Sequence, residues 1–399
     1  MPKNSSNTLA HKRPPRILPV IILSQFAGTS LWFAGNAILP DLQALWQLDN
    51  SALAHVASAV QLGFIAGTLG FAILMISDRF SPRKVFFVCS LSGAYFNLCI
   101  YWFAGGFVPL LLLRFITGIC LAGIYPVGMK IASGWYRKGL GKALGFLVGA
   151  LVLGTAFPHF LKSTGQAAPW ETVIWIVSGI AAGGGVLMFL LVPDGPFLSR
   201  SARFDARALM AIFKVKELRA AAFGYFGHMW ELYALWTFLP VLLSAYALRN
   251  PAFGIDVSRW SFYVIAAGSA GCVIGGLLSH KAGSCAVAFV HLLLSGLFCL
   301  LSPLLFELPE EMFLVLLTVW GMVVVGDSPQ FSALTARTAP PELVGSALTI
   351  VISIGFAITI VSIQFLNFLH ALVDIEYLFI PLGAGPLLGL LSLKALFKK

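Results

Sequence analysis

The sequence predicts an all-α membrane protein with twelve transmembrane helices in two parallel-repeat six-helix halves. Three observations carry that prediction. First, 59% of the 399 residues are hydrophobic and 11% are charged, with a mean hydropathy of +0.90. Soluble domains run at about 25% charged residues, so these charges are too few to cover a water-facing surface. Second, the apolar residues fall in continuous segments of about 20 residues, the length of a spanning helix, whereas barrel strands alternate over about ten. Third, a motif recurs. Gly118, Gly123 and Pro126 return as Gly321, Gly326 and Pro329, displaced by 203 residues.

Residues 1–16 are polar and basic. The first apolar span, 17–40, is too long for a signal peptide and lacks a clear small-residue cleavage site, so it reads as a retained helix. Spans follow at 53–77, 85–107, 109–132, 142–163 and 170–193. A polar stretch comes next. Six further spans lie at 219–246, 259–279, 285–305, 312–336, 343–369 and 376–393. The expected organisation is an N-terminal half over 1–193, a cytoplasmic linker loop over 194–218 and a C-terminal half over 219–399.

Orientation follows from lysine and arginine, which favour cytoplasmic loops. With the N-terminus inside, only Lys162, Arg249 and Arg259 fall outside, and Arg114 lies within the membrane. Both termini are then cytoplasmic. The net charge of +10 is accounted for by topology. Its spread over many short loops argues against a nucleic-acid surface. The repeat supports the same count of spans. Asp78-Arg79-Phe80-Ser81 after span two corresponds to His280-Lys281-Ala282-Gly283 after span eight, and Gly141 to Gly345. Parallel halves of this kind place a substrate path between them near the midplane.

The six cysteines lie in or beside apolar segments without a C-x-x-C pair, and they read as small core residues. No metal site, cofactor motif, P-loop or nucleophile motif is readable, so no enzyme activity is expected.

Charges at bilayer depth cost roughly 2.5–3.5 kcal/mol on insertion scales and mark functional candidates. Arg114 sits near the outer end of span four, within snorkelling reach of the interface, with Gly118 and Tyr125 on its face. It reads as a coupling or anion-binding residue, or as a hydrogen-bonding anchor to carbonyls. Glu231 is about twelve residues into span seven, roughly 18 Å at 1.5 Å per residue. His228 and Tyr225 precede it at one-turn intervals, and Trp230, Tyr233 and Trp236 surround them. A buried carboxylate beside an imidazole can carry protons, or bind a cationic group against an aromatic wall. Asp327 lies in span ten next to Pro329, where a bend is expected. In span one, Gln25, Thr29, Trp32 and Asn36 form a polar stripe suited to lining a cavity. Gly63, Gly67, Gly70, Gly268, Gly271, Gly275 and Gly276 read as close helix contacts.

These residues carry a resemblance to the major facilitator superfamily over nearly the whole chain. The loop Asp78-Arg79-Phe80-Ser81-Pro82-Arg83-Lys84 is similar to the family's D-R-x-G-R-R/K loop, departing at Ser81, Pro82 and Leu74. Arg114-x-x-x-Gly118 resembles the family's helix-four arginine motif, often linked to proton coupling. The antiporter pattern G-x-x-x-G-P in span five is half present, with Gly145, Gly149 and Gly154 but proline delayed to Pro158. The resemblance implies a monomeric secondary active transporter of a small molecule in a bacterial-type inner membrane, coupled to protons. Asp78, Arg79 and Arg83 are the expected conformational latch. The rival readings are a uniporter or anion exchanger using Arg114, and a transporter fold acting as a sensor or lipid handler without flux.

Overall fold

The computed structural model describes residues 14–136, 140–164, 168–198, 204–251 and 254–397; the side chains of Ser77 and Asp78 lie outside that description. Among the described residues, twelve helical spans are long and apolar enough to cross a membrane: Ile17–Trp46, Ala52–Ile73, Pro82–Phe103, Phe107–Trp135, Leu140–Lys162, Trp170–Leu191, Lys216–Arg249, Val257–Ala282, Ser284–Leu305, Glu310–Thr338, Pro341–His370 and Ile375–Phe397. No strand occurs among the described residues.

Most spans run a few residues beyond their expected ends, spans one and seven among them. Span one carries Pro40 inside the helix Ala34–Trp46 instead of stopping at it. Prolines are tolerated in membrane helices when neighbours satisfy the freed backbone groups. Span seven begins at Lys216, within the basic stretch assigned to the linker. Long basic side chains can place their stems along apolar surface while the charge reaches water.

Three spans are broken. Span one is interrupted between Thr29 and Ala34, span four between Ala122 and Tyr125, and span ten between Val323 and Ser328. The breaks in spans four and ten fall on the repeated Gly–Pro motif, with Gly123 and Pro126 matching Gly326 and Pro329. The duplication extends to packing. A methyl group at Gly118 would fall on the carbonyl of Val60 in span two, and one at Gly321 on that of Val264 in span eight. A methyl at Gly123 would strike Cys89 of span three, and one at Gly326 the ring of His291 in span nine. Of the glycines expected at close contacts, Gly63, Gly67, Gly268, Gly271 and Gly275 do face a neighbouring span, while Gly70 has open space beside it.

Within the first half, span two packs on span four, span three on span six, and span one on spans five and six. In the second half, span seven packs on span twelve and span eight on span ten. The halves meet along two seams, span five against span eight and span two against span eleven. In the first seam Gly145 and Gly149 lie against Cys272 and Ser269. In the second, Gln364 Nε2 donates to Ser58 Oγ at 2.9 Å.

One face of the bundle carries the basic loops and the linker helix Arg207–Lys214. There the backbone N–H of Asp205 donates to Ser346 Oγ at 2.9 Å, fastening the linker to span eleven. The Arg207 guanidinium donates to both Asp205 carboxylate oxygens and holds that carboxyl below its usual range. The opposite face carries an aromatic group of Tyr101, Trp102, Trp170 and Trp175. Half-exposed tryptophans and tyrosines of this kind sit at membrane–water boundaries.

Candidate functional site

Among the described residues, the first half contains one buried cation. Arg114 is fully buried at 0% exposure and does not snorkel to the interface. Its reach is inward because the break in span one offers acceptors. Nη2 donates to the carbonyls of Leu31 at 2.9 Å and Trp32 at 2.5 Å. Nη1 donates to Asn97 Oδ1 at 3.2 Å, and Asn97 Nδ2 donates onward to Ser178 Oγ at 3.0 Å. One guanidinium thus ties spans one, three and four, and Asn97 extends the network to span six. No carboxylate is paired with it among the described residues. At the matching position of the second half stands the buried, apolar Leu317.

Among the described residues, the second half buries two carboxylates and an imidazole, Glu231, Asp327 and His228, in two sets. His228 Nδ1 faces Asp327 Oδ1 at 2.9 Å, at the break of span ten, without the alignment of a hydrogen bond. Glu231, one turn further along span seven, turns to span nine instead. Its carboxylate accepts from Ser295 Oγ and from Cys299 Sγ, the latter at 3.3 Å. The sequence put Glu231 and His228 in partnership; the fold gives each a different partner. A second imidazole, His291, sets Nδ1 2.9 Å from the carbonyl of Val323, the last residue before the break. Buried polar and charged groups at this depth are costly unless paired, and both sets are held within the second half.

Between the halves stands an aromatic wall. Trp32, Phe33 and Phe64 from the first half meet Tyr233, Trp236 and Phe356 from the second. Trp32 lies 5.8 Å from Tyr233 and 5.5 Å from Phe356, and Phe33 lies 6.3 Å from Trp236, between ring centroids. All six rings are buried. The broken segment of span one presents Trp32 and Phe33 to this wall, so Arg114 fixes the backbone that carries it. Several buried polar atoms on or near the wall have no hydrogen-bond partner among the described residues. They include Trp32 Nε1, Trp236 Nε1, His159 Nε2 and both amide atoms of Asn36. His159 lies 6.5 Å from Phe33. Buried polar groups are normally paired. Unpaired ones gathered at the joint between the two halves are groups that a polar ligand there would meet.

The other expected residues divide. Gln25 is fully buried with both amide atoms unpartnered, and its carbonyl accepts from Thr29 Oγ1 at 2.8 Å. Thr29 itself packs against Gly154 of span five. Tyr225 lies beside His228 and Phe331 at 5.9 and 6.3 Å and reaches Gly355 of span eleven. Tyr125 stands at the span-four break and is 8% exposed. Trp230 departs from expectation. Its Nε1 donates to Pro381 O at 3.3 Å and its ring packs on Phe365, so it faces spans eleven and twelve instead of the wall. On the expected latch, the Asp78 side chain lies outside the described residues and Arg79 is exposed. Arg83 Nη1 donates to Phe189 O at 3.4 Å over that residue's ring, while Ser81 Oγ donates to Asp194 Oδ1 at 2.8 Å. These loop contacts all run to the end of span six.

Sequence reasoning missed Asn97, Ser295, Cys299, Phe64 and Phe356. Ser295 and Cys299 are four residues apart and share a helix face, a signal that becomes legible only once a facing carboxylate is known.

Residues 20–393 match the family model described as Major Facilitator Superfamily. A curated relative, the probable sulfoacetate transporter SauU of Cupriavidus necator, is 24% identical over 234 residues, which is 52% of this chain and 51% of that protein. The chain thus spans about half the length of the curated relative it matches. Among solved structures, the human organic anion transporter MFSD10 (TETRAN) gives a TM-score of 0.72 at 17% identity, over 96% of this chain and 100% of that one. At that identity the likeness is one of fold.

Proposed function

Because the chain belongs to the Major Facilitator Superfamily of membrane transporters, we propose that it is a proton-coupled secondary transporter of a small organic anion. It works as a monomer in a bacterial-type inner membrane, with both termini cytoplasmic. The halves rock about the seams and open the aromatic wall alternately to each side. The observation that carries this reading is the division of buried charge. Among the described residues, the first half holds a fixed cation with no carboxylate paired to it, and the second buries two carboxylates and an imidazole, Glu231, Asp327 and His228. Unpartnered N–H donors of Trp32, Asn36 and Trp236 lie near the joint. Anionic oxygens suit such donors. The printed names of the curated relative and the solved structure both describe carriers of anions, which supports the same class.

The test uses protein in proteoliposomes with sulfoacetate and related two-carbon anions as labelled substrates. A pH jump should drive uphill accumulation by the parent. Glu231→Gln keeps size and hydrogen bonding but cannot release a proton. It should exchange substrate at zero gradient and lose accumulation at least tenfold. Full proton-driven accumulation by this variant would remove Glu231 from coupling and leave Asp327 as the next carboxylate to test. Flux without proton drive in the parent would favour a uniporter or exchanger, and binding without flux a sensor or lipid handler.

A further inference from the structure

The linker helix Arg207–Lys214 and the start of span seven form a surface that the transport path does not use. Ala208 and Ile212 are buried against the bundle, while Leu209, Met210 and Phe213 are exposed at 44%, 55% and 48%. An apolar group this exposed beside basic residues is the pattern of a helix lying in a membrane interface. The next residues complete it. Phe213 packs edge-on to Phe223 at 6.2 Å, and Arg219 Nη1 donates to Phe213 O at 2.9 Å. That bond orders the guanidinium beside the linker.

Between spans seven and twelve, on this same basic face, lies a cavity of about 320 Å³ lined by Lys216, Arg219, Ala220, Phe223, Leu391, Ser392 and Ala395. Its size falls within the roughly 300–1,000 Å³ of small-molecule sites. Two cations line one part of it, Phe223, Leu391 and Ala395 another, and no carboxylate is among the lining residues. Lys216 is also the first residue of a 34-residue helix and lies at its positive end, with Glu217 in the same first turn outside the cavity lining. A soluble metabolite would have no use for a wall continuous with the exposed apolar side chains of the bundle. A lipid has both parts.

We propose that this cavity is a binding site for an anionic phospholipid. The headgroup phosphate sits between Lys216 and Arg219, and the acyl chains run along Phe223, Leu391 and Ala395 toward the lipid-exposed surface. The site is independent of substrate and coupling and stands whether or not the transport reading holds. Anionic lipid attracts each nearby basic residue by about 1 kcal/mol. Removing both therefore costs about thirtyfold in affinity, at 1.4 kcal/mol per factor of ten.

The test titrates purified full-length protein with short-chain phosphatidylglycerol, short-chain phosphatidylcholine and glycerol 3-phosphate, reading the thermal midpoint. Phosphatidylglycerol should raise the parent's midpoint saturably, with phosphatidylcholine far weaker. The double variant Lys216→Gln/Arg219→Gln should bind phosphatidylglycerol about thirtyfold more weakly. Lys84→Gln, which removes an exposed cation elsewhere on the basic face, should bind like the parent. Leu391→Trp fills the cavity without changing charge and should also lose the effect; it carries the test if the double variant does not fold. Parent-like binding by the double variant or by Leu391→Trp would overturn the proposal. So would equal binding of phosphatidylcholine. Glycerol 3-phosphate binding as tightly as phosphatidylglycerol would make this a free-phosphate site and overturn the lipid assignment.

Discussion

At the scale of single residues, the buried charges differ in what holds them. Arg114 gives three of its donors to Leu31, Trp32 and Asn97. Replacing it by leucine, the residue found at the matching place in the second half, strands two buried carbonyls and an amide oxygen. Removing one partner of a buried polar contact costs about 1–3 kcal/mol for each group left unpaired. Arg114→Leu should therefore lose at least about 3 kcal/mol of stability in thermal unfolding. Arg114→Lys keeps the charge but loses the planar fork, and should fall between the two. With Arg114 serving as an anchor, the lysine variant should keep a parent-like KM at reduced stability. A raised KM at parental stability would put Arg114 on the substrate instead. Arg114, Glu231 and Asp327 were visible in the sequence because a charge in an apolar segment stands out. Their partners were not, since Asn97, Ser178, Ser295 and Cys299 are ordinary residues in their spans. Only the fold says which faces meet.

At the scale of elements, the breaks explain what sequence can and cannot show. Spans four and ten break at a glycine and proline readable in advance, and the same motif recurs in both halves. The break in span one has no proline between Thr29 and Ala34. It is stabilised by a guanidinium from another helix, and a tertiary cause leaves no local signature. Close helix contacts were legible from glycine spacing, except that spacing could not show Gly70 facing open space. Gly321 gives the sharpest test of such a contact, because its neighbour is the backbone carbonyl of Val264, which cannot rotate away. Gly321→Ala should push spans eight and ten apart at a cost of about 1–3 kcal/mol, the range for overpacking. Gly70→Ala should be nearly silent. Thermal midpoints of the two variants, measured side by side, check the contrast.

At the scale of the whole molecule, the duplication was legible from three motifs at a near-constant offset. The seams were not, because a repeat shows that two halves exist and not which helices join them. The seam between spans two and eleven can be fastened. Ser58→Cys/Gln364→Cys replaces a hydrogen-bonded pair across the halves, and a short thiol cross-linker should arrest transport until it is cleaved. The parent, whose six cysteines are buried or half-buried, serves as the control. Transport at the parental rate after complete cross-linking would show that this seam need not open. Arg114 brings in a further quantity at this scale. It is a fixed charge inside one half, which under the proposed rocking moves in the electric field of the membrane. An elementary charge crossing the full field gains about 2.3 kcal/mol per 100 mV. A displacement through a tenth of that field is worth about 0.2 kcal/mol per 100 mV by the same scale. The empty carrier would then be electrically sensitive, its resting orientation biased by voltage before any substrate or proton is bound.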